Sequence, residues 1–155
     1  MDTQKLITEI KKYFKIQEFV DKQTYEKWGE NAWMFLDEKL LETILILRRD
    51  ILKVPLVCND WSFGGSHQQR GLRTNLSPLV KEKTDKGILY QTQHMYGRAV
   101  DLVSSKMSAE KMRELIKQNE SKLPYKVRIE LDTTWLHIDT MCMFNQKTKT
   151  YWFKG

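Results

Sequence analysis

The chain has 155 residues, 41% hydrophobic and 30% charged, and no tract rich in glycine, serine or proline. This length suits one domain that buries a core without disulfides, and the composition excludes an intrinsically disordered chain. The net charge of +6 is compatible with nucleic acid, anionic lipid or an anionic bacterial wall as a partner, and charge alone does not choose among them.

The N-terminal segment lacks the basic start, apolar run and small-residue cleavage site of a secretory signal, so we expect synthesis in a cytoplasm. The longest apolar run, residues 44–47, stops at Arg48, far short of the roughly 20 residues that span a bilayer. We therefore expect no membrane partner. Nucleic acid ranks last as a partner, since no stripe of Lys and Arg with interleaved aromatics is present.

The first third of the chain predicts helices. Asp2 or Thr3 is a candidate N-cap for a short amphipathic helix, because the apolar residues that follow recur at helical spacing. These residues are Leu6, Ile7, Ile10 and Phe14. Residues 17–33 predict helix and turn, with a break near Gly29.

The next third combines a strong helix signal with a long loop. Asp37 is predicted to cap a helix that runs to about Asp50 and has a wide apolar face. Residues 54–58 predict a buried strand, which Pro55 places at a sheet edge or at the strand's start. Residues 59–87 predict a loop, and structureless loops of that length in compact domains are usually functional.

The last third alternates strands with one helix. Residues 99–103 predict a strand, and a helix capped by Ser108 follows, to about residue 120. Residues 125–131 and 135–144 predict a hairpin, and 151–153 a final short strand.

This order of elements predicts the α+β class, as a single domain with a mostly antiparallel sheet and flanking helices. Within residues 1–155 we distinguish an N-terminal helical extension, 1–36, from a core, 37–155. Cys58 and Cys142 both lie in apolar runs, which predicts two buried free thiols rather than a disulfide or a metal pair.

Two of the three histidines have a pattern typical of a metal site. His94 is followed by Gly97, Ala99 and Asp101, and the small residues let the backbone bring the acid back beside the imidazole. His137 lies within a predicted strand. Two histidines and one carboxylate suit zinc with one position left open for water. Spacing alone also fits the simpler interpretation that these histidines are satisfied core residues.

Two segments resemble the signatures of a known superfamily. Residues 93–101, QHMYGRAVD, are similar to the Ser/Gln-His-x-x-Gly-x-Ala-x-Asp signature of zinc D-Ala-D-Ala carboxypeptidases and murein endopeptidases, whose fold is shared with the Hedgehog signalling domain. Residues 135–139, WLHID, resemble the second signature, which supplies the last zinc-binding histidine. Further upstream, the chain resembles the phage-borne branch of this superfamily in three motifs: Asn-x-Trp at 59–61, Gly-Gly at 64–65 and Arg-Gly-Leu-Arg at 70–73.

The resemblance covers about residues 37–144 and implies a Hedgehog/DD-peptidase-like fold. It further implies that His94, Asp101 and His137 bind Zn²⁺ and that the substrate is the peptidoglycan stem peptide. The same ligand set can hold other divalent ions.

The general base departs from the family pattern. Many relatives have an acid three residues before the final histidine, where this chain has Thr134. Glu130 matches the acid that phage-borne relatives have before the turn, and Asp132 is the second candidate for the catalytic base. The alternative is that both are solvated charges of the hairpin.

Other residues are assigned with the resemblance. Arg73 resembles the arginine that faces the substrate carboxylate, with Arg70 as its neighbour candidate, and solvated loop arginines are the alternative. Asp139 lies two residues after His137, on the same strand face, and is a candidate acceptor for its imidazole. Trp135 shares that face and either walls the site or packs in the core.

The first hypothesis is therefore a zinc metallopeptidase that cuts peptidoglycan, as a carboxypeptidase or an endopeptidase. The lack of a secretion signal fits a phage endolysin, or a lysin carried in the phage particle, that acts on the bacterial cell wall. The second hypothesis is a catalytically inactive structural or wall-binding module that keeps the fold and the metal, which Thr134 supports.

Overall fold

The structure is a computed structural model that describes residues 1–155. Its five α-helices are α1 Thr3–Ile10, α2 Lys22–Trp28, α3 Glu38–Ile46, α4 Pro78–Asp85 and α5 Ala109–Gln118. Its four strands are β1 Ala99–Leu102, β2 Val127–Leu131, β3 Leu136–Asp139 and β4 Thr150–Lys154. Short 3₁₀ turns join these elements, and a π-helical turn, Leu47–Ile51, extends α3.

The helix starts follow from side-chain caps. Asp2 accepts hydrogen bonds from the backbone N–H groups at the start of α1, Asp37 does so for α3, and Ser108 for α5. All three predicted caps are confirmed, with Asp2 rather than Thr3 at the first. The predicted break at Gly29 is also confirmed, since its φ of 54° ends α2.

The strands form one sheet in the order β1-β3-β2-β4. β3 pairs antiparallel with β1 and β2, and the predicted β2–β3 hairpin is confirmed. β4 pairs parallel with β2, so the sheet is mixed, with an antiparallel majority. The α+β class is confirmed.

Three sequence predictions are wrong in their extent. Residues 54–58 form no strand: Val57 alone pairs with Val103, because Pro55 has no N–H to donate and Lys53 turns the chain at a φ of 58°. The strand expected over 135–144 ends at Asp139, whose side chain accepts the Met141 backbone N–H. The loop 59–87 contains α4, with Ser77 before its first residue, Pro78.

An apolar core of 28 buried residues joins α1, α3 and α5 to one face of the sheet. The segment 1–36 contributes to this core through Leu6, Ile10 and Phe19. Both cysteines are free, but only Cys58 is buried; Cys142 is exposed because β3 stops before it. No helix has the length and apolar composition that a bilayer crossing requires.

Candidate metal centre

Alternation along the strands gives the sheet two different faces. The apolar face belongs to the core and consists of Val100, Leu102, Val127, Ile129, Leu136 and Ile138. The polar face lines a cavity and consists of Asp101, Arg128, Glu130, His137 and Asp139. The register of the strands brings these polar side chains together, because Asp101 lies opposite His137 and Arg128 lies opposite Asp139.

His94 reaches this face from the 3₁₀ turn Gln93–Tyr96, just before β1. The turn ends at Gly97, which has a φ of 67°, and a Cβ atom there would collide with the carbonyl oxygen of Phe35. Only glycine fits this backbone. The backbone of His94 is held in turn by Arg73, whose N–H donates to the His94 carbonyl at 3.0 Å.

The three predicted ligands lie together. The His137 Nδ1 atom is 2.9 Å from Asp101 Oδ1, and His94 Nε2 is 3.4 Å from the same oxygen. One donor atom from each of His94, Asp101 and His137 lies within 4.8 Å of the others, and all three residues are buried. Such a cluster of two imidazoles and a carboxylate suits a divalent cation with positions left open.

The outer contacts of the imidazoles determine which nitrogen of each ring faces the cluster. The Gly71 carbonyl lies 2.8 Å from His94 Nδ1 and can only accept, so Nδ1 has the proton and Nε2 has the lone pair. Asp139 Oδ2 lies 2.9 Å from His137 Nε2, which leaves Nδ1 facing Asp101. The nitrogens that face the cluster are therefore His94 Nε2 and His137 Nδ1, and the second of these would have to lose its proton to bind a metal. The predicted role of Asp139 as an acceptor for His137 is confirmed.

Asp139 is itself held by an arginine that the sequence analysis did not single out. Its side chain is fully buried and accepts from Nε and Nη2 of Arg128, both at 2.9 Å. The Arg128 guanidinium lies 4.7 Å from the centre of the Phe153 ring. This bidentate pair fixes Asp139, and Asp139 fixes the His137 ring. The sequence pattern could have indicated Arg128, because residues 128 and 130 lie on the same face of a strand.

Electrostatics in the cluster favour a cation. Burial opposes the ionised form of Asp101, yet hydrogen bonds from His137 and His94 hold the pKa of Asp101 well below its usual range. Burial likewise opposes charge on His137, and its hydrogen bonds to Asp101 and Asp139 nevertheless raise its pKa to about 9. A metal ion would displace the His137 proton, so metal binding and protonation compete there.

The cluster opens into the cavity lined by the polar face, which has a volume of about 340 Å³. Glu130 lines this cavity, as the first candidate base should. Asp132 does not: its side chain is 73% exposed and pairs with Lys154 at 3.4 Å. Thr134 also lies outside the cavity. The lining residues beyond the polar face include Arg73, Tyr90, Thr92, Gln93, Trp135 and Phe153.

The two predicted arginines lie in different surroundings. Arg73 is beside the cluster, with Nη2 3.6 Å from Asp101 Oδ2 and Nη1 donating to the Tyr90 hydroxyl at 2.6 Å. Arg70 does not line this cavity, and its Nη1 donates to the Cys58 carbonyl at 3.3 Å. His67, the third histidine, pairs with Asp60 at the surface and is not in the cluster. Nothing in the sequence pattern pointed to Tyr90.

Comparisons with protein-family models, with curated proteins and with solved structures found no match. A function for the chain therefore rests on the geometry of the cluster and on the motif resemblance.

Proposed function

We propose that the protein is a zinc-dependent hydrolase that cuts a peptide bond in the stem peptide of peptidoglycan. The main support is the cluster of His94, Asp101 and His137, in which the outer contacts direct one nitrogen of each ring inwards. Three protein ligands at the edge of an open cavity are typical of catalytic zinc, whereas structural zinc sites usually have four.

Bound zinc would supply Lewis-acid activation of a water molecule and of the scissile carbonyl. The protein's part is then to move a proton and to hold the peptide. Glu130 is the proposed general base, because its side chain lines the same cavity as the three ligands while Asp132 is solvated beside Lys154. Trp135, exposed by 39%, offers a flat wall for the substrate.

The substrate class rests on the resemblance of residues 93–101 and 135–139 to the two signatures of murein peptidases. The net charge of +6 would assist approach to an anionic wall. A phage-borne lysis enzyme, free or carried in the particle, is the setting that the upstream motifs favour.

A wall-binding or structural module without turnover is the second candidate, and Thr134 at the family's usual acid position favours it. We rank it second because Glu130 brings a carboxylate to the cavity from the neighbouring strand.

The test joins metal content to cleavage. Elemental analysis should find one zinc per chain, and purified peptidoglycan should release new amino groups that a chelator suppresses. His94→Ala and His137→Ala should each lose zinc and cleavage together, while His67→Ala is the matched control for zinc content. Full zinc and full cleavage in either cluster variant would contradict the ligand assignment. Zinc without cleavage on several wall types would favour the module.

A further inference from the structure

Tyr90 lines the same cavity as the three proposed ligands and Glu130. It follows α4 in an irregular segment, directly after Leu89, whose side chain is 82% exposed. Tyr90 itself is partly buried, and its hydroxyl contacts Arg73, so its ring is directed inwards where its neighbour is solvated. The segment therefore brings a phenol hydroxyl to the cavity.

The position of this hydroxyl is set by Arg73. Nη1 of Arg73 donates to it at 2.6 Å, and Nη2 of the same guanidinium lies 3.6 Å from Asp101 Oδ2. One planar group thus separates the Tyr90 hydroxyl from Asp101, a proposed metal ligand. Nε of Arg73 donates to the Gln69 carbonyl at 2.7 Å, and the Arg73 side chain is only 10% exposed. These contacts fix the guanidinium, and the guanidinium fixes the hydroxyl.

The Tyr90 hydroxyl has a hydrogen that no protein group accepts. A tyrosine hydroxyl has one hydrogen and accepts through its lone pairs, and a guanidinium can only donate, so the contact with Arg73 uses a lone pair. The hydroxyl makes no other hydrogen bond within the protein. A charged donor on the oxygen also polarises the O–H bond and makes it a stronger donor. The group is therefore suited to a ligand oxygen that carries negative charge.

Arg73 is more fully engaged than Tyr90. Each of its three guanidinium nitrogens already faces an acceptor: the Gln69 carbonyl, the Tyr90 hydroxyl and the Asp101 carboxylate. Of the two side chains, Tyr90 can thus form a new hydrogen bond in the cavity without sharing or breaking an existing one.

We propose that Tyr90 is a catalytic hydrogen-bond donor to the carbonyl oxygen of the scissile bond. This inference rests on the proposed function. When the water oxygen adds to the carbonyl carbon, the π electrons move onto the carbonyl oxygen, and Glu130 takes up the proton of the water. Tyr90 keeps its own proton and donates a hydrogen bond that strengthens as the negative charge develops. Its contribution should appear in the transition state rather than in substrate binding.

The first experiment is Tyr90→Phe, which removes the hydroxyl and keeps the ring. For cleavage of a synthetic stem peptide by the zinc-loaded protein, kcat should fall by about 10–100-fold, typical of a lost hydrogen bond to a charged group, with KM and zinc content unchanged. Tyr96→Phe is the matched control and should equal the parent, because Tyr96 is 52% exposed and does not line the cavity. A parental kcat in Tyr90→Phe, or a change in KM alone, would overturn the catalytic assignment.

The second experiment measures binding and needs no turnover. Two stem-peptide probes replace the scissile amide: a phosphinate, whose charged oxygens resemble the developing charge, and an ethylene isostere, which has no oxygen there. By calorimetry on the zinc-loaded proteins, Tyr90→Phe should bind the phosphinate about 10–100-fold more weakly than the parent and the ethylene probe equally well.

Two results of the binding experiment would overturn the role of Tyr90. One is an equal affinity of parent and variant for the phosphinate. The other is an equal loss of affinity for both probes, which is the result expected if Tyr90 only holds Arg73 in place. Absence of cleavage by the zinc-loaded parent would instead remove the hydrolase, and the phosphinate would still decide whether Tyr90 donates to a charged oxygen in the cavity.

Discussion

The two faces of the sheet are built by opposite principles. On the apolar face, side chains such as Val100, Ile129 and Ile138 gain stability from removal from water, which is non-directional. On the polar face, one residue along in each strand, Asp101, Arg128 and Asp139 are held by specific partners at about 3 Å. The stability of the apolar face depends on how much side-chain volume is buried, whereas the polar face depends on each charged side chain having its hydrogen-bond partners.

Buried carboxyl groups show the difference most directly. Asp139 is buried, which alone would favour its neutral form, but His137 and Arg128 lower its pKa. Glu18, on the helical side, has no arginine or lysine within ion-pairing distance and accepts from the Lys15 backbone N–H. Burial therefore raises the pKa of Glu18 to about 7. The same chemical group is thus kept ionised beside a histidine and an arginine, and is shifted towards its neutral form where a backbone N–H is its hydrogen-bond donor.

The largest effect should come from the smallest change, Glu130→Gln on the polar face. Removing the proposed base should lower turnover by about 10²–10⁴-fold while zinc content and stability stay unchanged. Cleavage assays with elemental analysis measure both. Asp132→Asn is the matched control and should cleave within about twofold of the parent. If Asp132→Asn is the inactive variant, the base is assigned to the wrong acid.

Arg128→Leu should strip Asp139 of its bidentate partner and cost about 3–5 kcal/mol of unfolding free energy, because the buried carboxylate then keeps only His137 as a charged partner. Urea unfolding of the metal-free protein measures this without a contribution from zinc. Adding Asp139→Asn should recover part of the loss. A cost below about 1 kcal/mol, typical of exposed ion pairs, would mean that the polar face tolerates a buried charge that has lost one of its partners.

Glu18→Gln tests the unpaired acid through pH. Between the unfolded pKa of about 4.5 and the folded value of about 7, the folded state binds more protons, so parental stability falls as pH rises through this window. The amide that replaces the carboxyl group cannot titrate. The variant should therefore gain about 3 kcal/mol on the parent between pH 4.5 and pH 8, by urea unfolding at each pH. A pH-independent difference would show that Glu18 is ionised without penalty.

The smallest effect belongs to the apolar face. Ile129→Val removes one buried methylene and should cost about 0.5–1.5 kcal/mol, with zinc content and cleavage unchanged. Thermal or urea unfolding measures the cost. Lost zinc binding in this variant would break the separation between the faces, since it would mean that the cluster responds to packing on the far side.

The sequence predicted the polar face in part. His94, Asp101 and His137 were found because short-range spacing and a motif resemblance define them, and Asp139 because strand periodicity places it beside His137. Arg128 could have been found by the period-2 argument that was used for Asp139, because it lies two residues before Glu130 on the same strand face. The engagement of Arg73 by Tyr90 and the Gln69 carbonyl depends on where a long loop folds back, and no local pattern encodes that.

The fold errors have a similar origin. The helix caps Asp37 and Ser108 act within one turn, so sequence patterns predicted them. Residues 54–58 have a strand's composition, but only Val57 pairs with another strand residue, and such pairing depends on tertiary structure. Likewise β4 follows an irregular segment, and its parallel pairing with β2 is a long-range outcome. α4 was missed although Ser77 and Pro78 are a recognised start signal.

The Phe19 carbonyl accepts the Leu72 N–H at 2.8 Å and lies against Gly71, whose own carbonyl accepts from His94. The N-terminal helical segment is thus two hydrogen bonds away from His94, a proposed metal ligand. Local opening of that segment should release the loop and the ring together, so the rate at which a chelator removes zinc should report its opening rate. For the same reason, a shortened protein starting at residue 37 would lose the Phe19 carbonyl that accepts the Leu72 N–H.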